Sequence, residues 1–150
     1  PGVPADIQGF VVTAKNGNDY SMDLILNPDF HFIILSPNLP SASNSALRNA
    51  FRFAREALAD KADICLITPL SDQVDSILTA YHSAVTVYYG DEIALKIPVR
   101  ANPGILLMKD GYVLDKWNCE SLPKYSKVKY HYADYNRNLA YYKSLSSKIK

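Results

Sequence analysis

Cysteine is scarce in this 150-residue chain, and the two that occur, Cys65 and Cys119, lie far apart in the sequence. The chain therefore contains no Cys-x-x-Cys pair. Dithiol redox chemistry needs a low-pKa thiolate with a resolving cysteine close by in the sequence. The sequence contains no cysteine pair at that spacing. Two cysteines neither establish nor exclude an oxidising compartment, and a disulfide between them would require α-carbons within about 7 Å.

Long apolar runs are also absent, because no stretch approaches the ~20 consecutive apolar residues that a membrane-spanning helix needs. The chain begins at Pro1, and no charged-then-apolar signal segment precedes the first predicted strand. We therefore expect a soluble piece, processed or excised from a longer protein.

Histidine is equally sparse. His31, His82 and His131 lie about fifty residues apart, with no second ligand at helical or hairpin spacing. We expect neither a metal site nor a bound cofactor.

The composition predicts one domain with an uneven charge. Apolar residues make up 48% of the chain, enough for one sizeable core, and the formal net charge is +1. Residues 124–150, however, hold seven Lys or Arg residues against a single acidic residue, Asp134. Such asymmetry can mark a tail that meets an anionic surface, although a solvated helix face is the commoner explanation.

Apolar runs of strand length alternate with helical patterns in the first half of the chain. The almost unbroken run from Phe30 to Leu35 predicts a strand covered on both faces, at the centre of a sheet. Apolar residues at three- and four-residue intervals over 46–58 predict a helix, and Ile64–Ile67 a second strand. A short helix follows at 74–81, so we expect a parallel strand pair joined by a right-handed crossover.

Two β-hairpins are predicted, one near the N-terminus and one around Asp110-Gly111. Phe10–Ala14 and Met22–Leu26 flank the turn-rich segment Lys15–Asn18, which predicts an extra N-terminal β-hairpin. Asp110-Gly111 lies between two apolar runs and suits a type I′ turn, because Asp and Gly both tolerate positive φ angles.

The C-terminal segment predicts an amphipathic helix that begins near His131. Its apolar side chains recur at three- and four-residue intervals, at Tyr132, Tyr135, Leu139, Tyr142, Leu145 and Ile149. We divide the chain into a domain at 1–123 and a basic, tyrosine-rich extension at 124–150. The extension either covers one face of the sheet or binds an anionic membrane surface through Lys124, Lys127 and Lys129 with Tyr125, Tyr130 and Tyr132. Nucleic acid is not expected, because the rest of the chain is acidic.

The order β-α-β-α-β-β, preceded by a hairpin, resembles the thioredoxin fold in its peroxiredoxin and thiol-disulfide-reductase variant, over residues 4–123. Asp6–Phe10 is similar to the opening strand pair of that variant, and His31–Leu35 to its central strand. Asn102-Pro103-Gly104 is similar to its cis-proline element. The resemblance implies an α/β fold with a central mixed sheet flanked by helices, a long C-terminal helix and a cis Asn102–Pro103 bond.

The chain most resembles the soluble thioredoxin-like region of Bacteroides-type DoxX family membrane proteins. The similar stretches are Pro1–Phe10, Asp23–Leu26, Leu35–Leu39 and Asp115–Asn118. This likeness implies a bacterial, membrane-associated soluble domain of a longer integral membrane protein. The membrane part of the same parent chain is then one candidate partner.

The resemblance places the Cys-x-x-Cys window at Pro40, Ser41, Ala42 and Ser43, where no thiol occurs. Serine does not replace a redox cysteine, because its hydroxyl is far less acidic and forms no disulfide. Ser43 is therefore interpreted as the N-cap of the following helix.

Two functions remain open. The first is a non-catalytic module that binds a peptide or a partner domain in the groove formed by Leu39, Pro40, Ala101, Asn102 and Pro103, along the strand edge 99–102. The second is a thiol oxidoreductase that acts through a lone cysteine. Cys119 is the better candidate, because Cys65 lies in an apolar strand and Cys119 is expected nearer the surface. The missing Cys-x-x-Cys favours the first, a redox-inactive protein that is not an enzyme.

Overall fold

The computed structural model describes residues 3–4, 11–91 and 100–149. Among them, seven strands form one sheet in the order β1-β7-β6-β3-β4-β5-β2. The strands are β1 Val3–Pro4, β2 Val12–Thr13, β3 His31–Leu35, β4 Asp63–Thr68, β5 Thr86–Gly90, β6 Gly104–Lys109 and β7 Tyr112–Asn118. The helices are α1 Ser21–Ile25, α2 Asn44–Ala59, α3 Val74–Ala80, α4 Tyr125–Tyr130 and α5 Tyr132–Ile149, with single 3-10 turns at Leu39–Ser41 and Cys119–Ser121.

The predicted central strand lies at the centre of this sheet. All five residues of β3 are buried, and β3 pairs parallel with β4 and antiparallel with β6. β4 pairs parallel with β5, and β6 with β7 forms the expected hairpin, whose turn residues Asp110 and Gly111 have φ angles of 56° and 80°. The α/β architecture with a mixed, helix-flanked sheet is confirmed.

Both faces of the sheet are covered by apolar side chains. Successive side chains of a strand point to opposite faces, so Phe32 and Ile34 contact a core that includes the buried side of α2. Ile33 and Leu35 point the other way and pack with Val12 and Ile25. The continuous apolar run in β3 follows from this double coverage.

The N-terminal prediction is correct for the turn and wrong for the second arm of the hairpin. Thr13 bridges Asp19 across the turn, and the Tyr20 amide donates to the Val12 carbonyl at 2.8 Å. The next segment, predicted as a strand at Met22–Leu26, instead contains helix α1. Asp19 Oδ1 accepts hydrogen bonds from the Ser21 amide at 2.8 Å and the Ser21 hydroxyl at 2.6 Å, which turns the chain into that helix. The predicted strand pair at Asp6–Phe10 lies outside the described residues.

The C-terminal segment forms two helices, with a break at His131. α5 is the predicted long helix, and the separate helix α4 precedes it. Tyr125, Val128 and Leu139 are buried in the core that also contains α2, and the Tyr132 ring stacks on Phe30 with centroids 4.1 Å apart. The extension therefore packs against residues of the preceding domain.

Candidate functional site

The loop that opens β6 meets the loop that leaves β3. The Asn102–Pro103 peptide bond is cis, the isomer expected from the resemblance. Gly104 pairs with Leu35, so the residues just before it lie against the chain as it leaves the central strand. The Pro103 carbonyl accepts from the Cys119 amide at 3.1 Å, which attaches the end of β7 to the same point.

The Asn102 side chain joins these two loops by four hydrogen bonds. Its Oδ1 accepts from the Ser36 hydroxyl at 2.7 Å and from the Asn38 amide at 3.2 Å. Its Nδ2 donates to the Asn38 carbonyl at 2.6 Å and to Ser41 Oγ at 3.2 Å. An amide side chain has two donor hydrogens and two acceptor lone pairs, so these contacts use its full capacity.

The predicted groove residues differ in what they can offer a ligand. Leu39 is 1% exposed and belongs to the core, so its side chain does not line an open groove. Pro40 is exposed, Ala101 and Asn102 are half-buried, and Pro103 is buried. The strand edge predicted at 99–102 is not extended where the structure describes it, because Arg100 has a φ of 49° and a bend and a turn follow it. Arg100, Asn38 and Pro40 are the exposed residues here, and Asn38 is joined to Asn102 by a hydrogen bond.

The segment predicted to replace a redox motif ends in a helix cap. Ser41 lies in the 3-10 turn, Ala42 follows it, and the Ser43 hydroxyl accepts from the Ala46 amide at 3.1 Å. Ser43 is thus the N-cap of α2, as the sequence predicts.

A carboxylate that sequence analysis did not single out lies at this helix terminus. Glu120 accepts hydrogen bonds from the hydroxyls of Ser43 and Ser45, the latter at 2.8 Å. These bonds hold the pKa of Glu120 below its usual range. A negative charge is favourable here because of the unpaired amides and the dipole of a helix N-terminus. Glu120 is 77 residues from Ser43 in sequence, and no local pattern signals the contact.

Both thiols are free and buried. Cys119, expected nearer the surface, has no exposed area, so that expectation is wrong. Cys119 is the first residue of the 3-10 turn Cys119–Ser121, and its side chain is buried there. The Cys119 carbonyl accepts a hydrogen bond from Asn49 Nδ2 at 2.8 Å. Burial raises the pKa of Cys65 and of Cys119 to about 12, so both are thiols at neutral pH and lack the thiolate that redox exchange uses.

Some of the basic side chains in 124–149 have acidic partners. Lys129 Nζ lies 2.6 Å from Asp60 Oδ2, and Lys143 pairs with Asp110. Lys124 and Lys127 are exposed. No helix in the described part of the chain is long and apolar enough to cross a membrane.

Comparison with known proteins supports the fold. No family model and no curated protein matches the chain. Among solved structures, BsSco, a member of the Sco family of cytochrome c oxidase assembly proteins, matches with a TM-score of 0.61 and 12% identity, over 91% of this chain and 95% of that one. A secreted Mycobacterium tuberculosis disulfide oxidoreductase homologous to E. coli DsbE matches with a TM-score of 0.60 and 14% identity, over 87% and 99%. PrxQ of Xylella fastidiosa matches with a TM-score of 0.51 and 7% identity, over 99% and 96%. The chain has a thioredoxin-like fold.

Proposed function

We propose that this chain is a thioredoxin-like module that binds an extended segment of a peptide or partner protein beside Pro103, without thiol chemistry. The observation that carries the proposal is the Asn102 hydrogen-bond network. In this network the Asn102 side-chain amide and the hydroxyls of Ser36 and Ser41 hold the two loops together. The resemblance places a redox cysteine pair at this point of the fold.

The main chain at 100–102 supplies the binding surface. No hydrogen bond of the Arg100 or Ala101 main chain is found among the described residues, while the Asn102 side chain is fully engaged. Arg100 has a φ of 49° and residues 101–103 form a bend and a turn, so this main chain is not an extended strand. A peptide would bind here through individual main-chain hydrogen bonds, which need no reactive side chain. Val99, the first residue of the proposed edge, lies outside the described residues.

The alternative is an oxidoreductase that acts through one thiol. It requires Cys119 to become accessible and to ionise, and the burial of its side chain opposes both. The 3-10 turn would have to open and break the bonds to Pro103 and Asn49. We therefore favour the non-catalytic module.

We further propose that the module is the soluble part of a DoxX-like integral membrane protein, with the membrane part of its own chain as a partner. The resemblance in sequence and the exposed Lys124 and Lys127 support this proposal, because basic side chains are attracted to anionic lipid. The full-length gene product tests it. Membrane-spanning segments in that product would support the proposal, and their absence would overturn it.

An NMR titration tests peptide binding. We expect extended peptides, including the membrane-facing segments of the parent protein, to shift the amide resonances of Arg100, Ala101 and Asn102 before others. The Cys119→Ala variant is the control and should bind with unchanged affinity, because no thiol takes part. Shifts confined to other surfaces, or binding lost in Cys119→Ala while the fold is intact, would overturn the proposal.

A further inference from the structure

A cavity of about 280 Å³ lies where β3, β4 and β5 begin. These three strands are parallel, so their starts share one edge of the sheet. Asn102 contacts Ser36, beyond the other end of β3. The cavity is therefore separate from the groove beside Pro103.

Asp63 is the charged residue among the described residues that line this cavity; it is exposed and accepts a hydrogen bond from Asn27 Nδ2 at 3.3 Å. Asp63 lines it and is the register partner of His31 on the neighbouring strand, so the two side chains are on the same face. The carboxylates of Asp29 and Asp23 act electrostatically on His31 and Tyr88. None of the described residues that line the cavity is Lys or Arg. The local potential favours a cation.

The cavity also has an apolar and aromatic wall. Leu24 and Tyr88 are half-buried, and the Tyr88 ring packs on Tyr20 with centroids 5.2 Å apart. An aromatic ring attracts an organic cation through its face and its apolar area, and Tyr88 lines the same cavity as Asp63. The volume lies just below the range of about 300–1,000 Å³ for drug-sized ligands, which limits the ligand to a small molecule.

His31 gives this cavity a buried acceptor that lacks a partner. The side chain is 2% exposed, and Nδ1 lies 2.9 Å from the Asp29 carbonyl. A carbonyl only accepts, so Nδ1 carries the hydrogen, and burial lowers the pKa of His31, which keeps the ring neutral. Nε2 is then an acceptor, and it has no hydrogen-bond partner among the described residues. The Leu24 carbonyl also faces the His31 ring. A carbonyl oxygen only accepts, so it cannot donate a hydrogen bond to the unprotonated Nε2.

We propose that this cavity binds a small arylalkylamine whose ring carries an N–H group. The ammonium lies at Asp63, and the aromatic ring packs against Leu24 and Tyr88. The ring N–H donates to Nε2 of His31. Nε2 has no exposed surface, so this last contact requires the atoms that cover it to move aside.

Calorimetric and NMR titration with tryptamine tests the proposal. We expect saturable binding, with amide shifts at His31, Asp63 and Tyr88 and a shift of the His31 Nε2 resonance. Asp63→Asn should raise the dissociation constant by up to about fivefold, because Asp63 is exposed and solvent weakens its ion pair. Asp72→Asn is the matched control, because Asp72 is exposed and follows the far end of β4, and it should leave binding unchanged.

Two analogues of the probe separate the contacts. Tryptophol lacks the ammonium and should bind more weakly than tryptamine, by up to about fivefold. 1-Methyltryptamine lacks the ring N–H, should bind more weakly, and should leave the Nε2 resonance in place. The proposal is overturned if tryptamine does not bind saturably, if Asp63→Asn binds like Asp72→Asn, or if either analogue binds as tightly as tryptamine.

Discussion

At the scale of single residues, Asn102 contributes most to the geometry of the candidate site. Its partners Ser36 and Asn38 lie 66 and 64 residues away, so one side chain ties together segments that are remote in sequence. Ser36 has no exposed area, so in the folded protein its hydroxyl depends on this amide for a hydrogen-bond partner. An unsatisfied buried polar group costs more than the hydrogen bond itself contributes.

We predict that Asn102→Ala lowers the free energy of unfolding by roughly 1–3 kcal/mol, because it removes four hydrogen bonds and leaves the Ser36 hydroxyl unpaired. Urea denaturation measures the change. Asn136→Ala is the control, since Asn136 is exposed and its side chain bonds to Lys109 and to no other described residue; this variant should stay within about 0.5 kcal/mol of the parent protein. Equal effects of the two changes would contradict the structural role given to Asn102.

At the scale of secondary structure, helix α2 gains a carboxylate from a distant 3-10 turn. Glu120 is held by Ser43 and Ser45, and its pKa is below the usual value of 4.5. A carboxylate whose pKa is depressed on folding contributes stability above its unfolded pKa, and this stability is lost as the pH falls.

We predict that the protein loses stability on acidification below pH 4.5 and that Glu120→Gln makes this loss shallower. The variant should also be somewhat less stable at neutral pH, because it removes the negative charge next to the N-terminus of α2. Melting temperatures measured across pH 3 to 7, roughly the range in which carboxyl groups titrate, test both effects. A variant with an unchanged pH profile would show that the Glu120 contact adds no stability.

The C-terminal helices contribute to the core. Tyr125, Val128 and Leu139 are 5%, 3% and 5% exposed, and the Tyr125 hydroxyl donates to Asp60 at 2.5 Å. Burial of one large apolar side chain contributes about 1.5–3 kcal/mol, and a typical domain has about 5–15 kcal/mol of stability in total. The extension is thus large enough to determine whether the rest folds.

We predict that deletion of residues 124–150 abolishes cooperative folding, measured by circular dichroism and thermal denaturation. The double variant Lys124→Glu with Lys127→Glu is the control; it should fold with a stability within about 0.5 kcal/mol of the parent, because both side chains are exposed. If the parent protein associates with anionic vesicles and this folded double variant does not, the segment 124–150 contacts membranes in addition to its structural role. A stable, soluble remainder after the deletion would contradict the structural role.

At the scale of the whole molecule, the fold is that of proteins that include oxidoreductases, but this chain lacks an accessible thiol among the described residues. We predict no disulfide reductase activity in an insulin assay with dithiothreitol, because both cysteines are buried and their pKa values are about 12. Turnover that Cys119→Ser abolishes would overturn this prediction and support the lone-thiol alternative.

The sequence by itself determined the elements whose signals are local. The apolar run of β3, the spacing of α2 and the Asp110-Gly111 turn depend on neighbours within a few residues, and all three are in the structure as predicted. The lack of a Cys-x-x-Cys is likewise a property of the sequence alone.

Only the tertiary structure decided which distant groups meet. The burial of Cys119, the contact of Glu120 with the N-terminus of α2 and the Asn102 network each depend on strand register and on the path of β7. The helix at Ser21–Ile25 replaced a predicted strand because Asp19 turns the chain and β2 pairs with β5 instead. Short apolar runs suit either a strand or a helix, so long-range pairing and burial, rather than local propensity, select between the two.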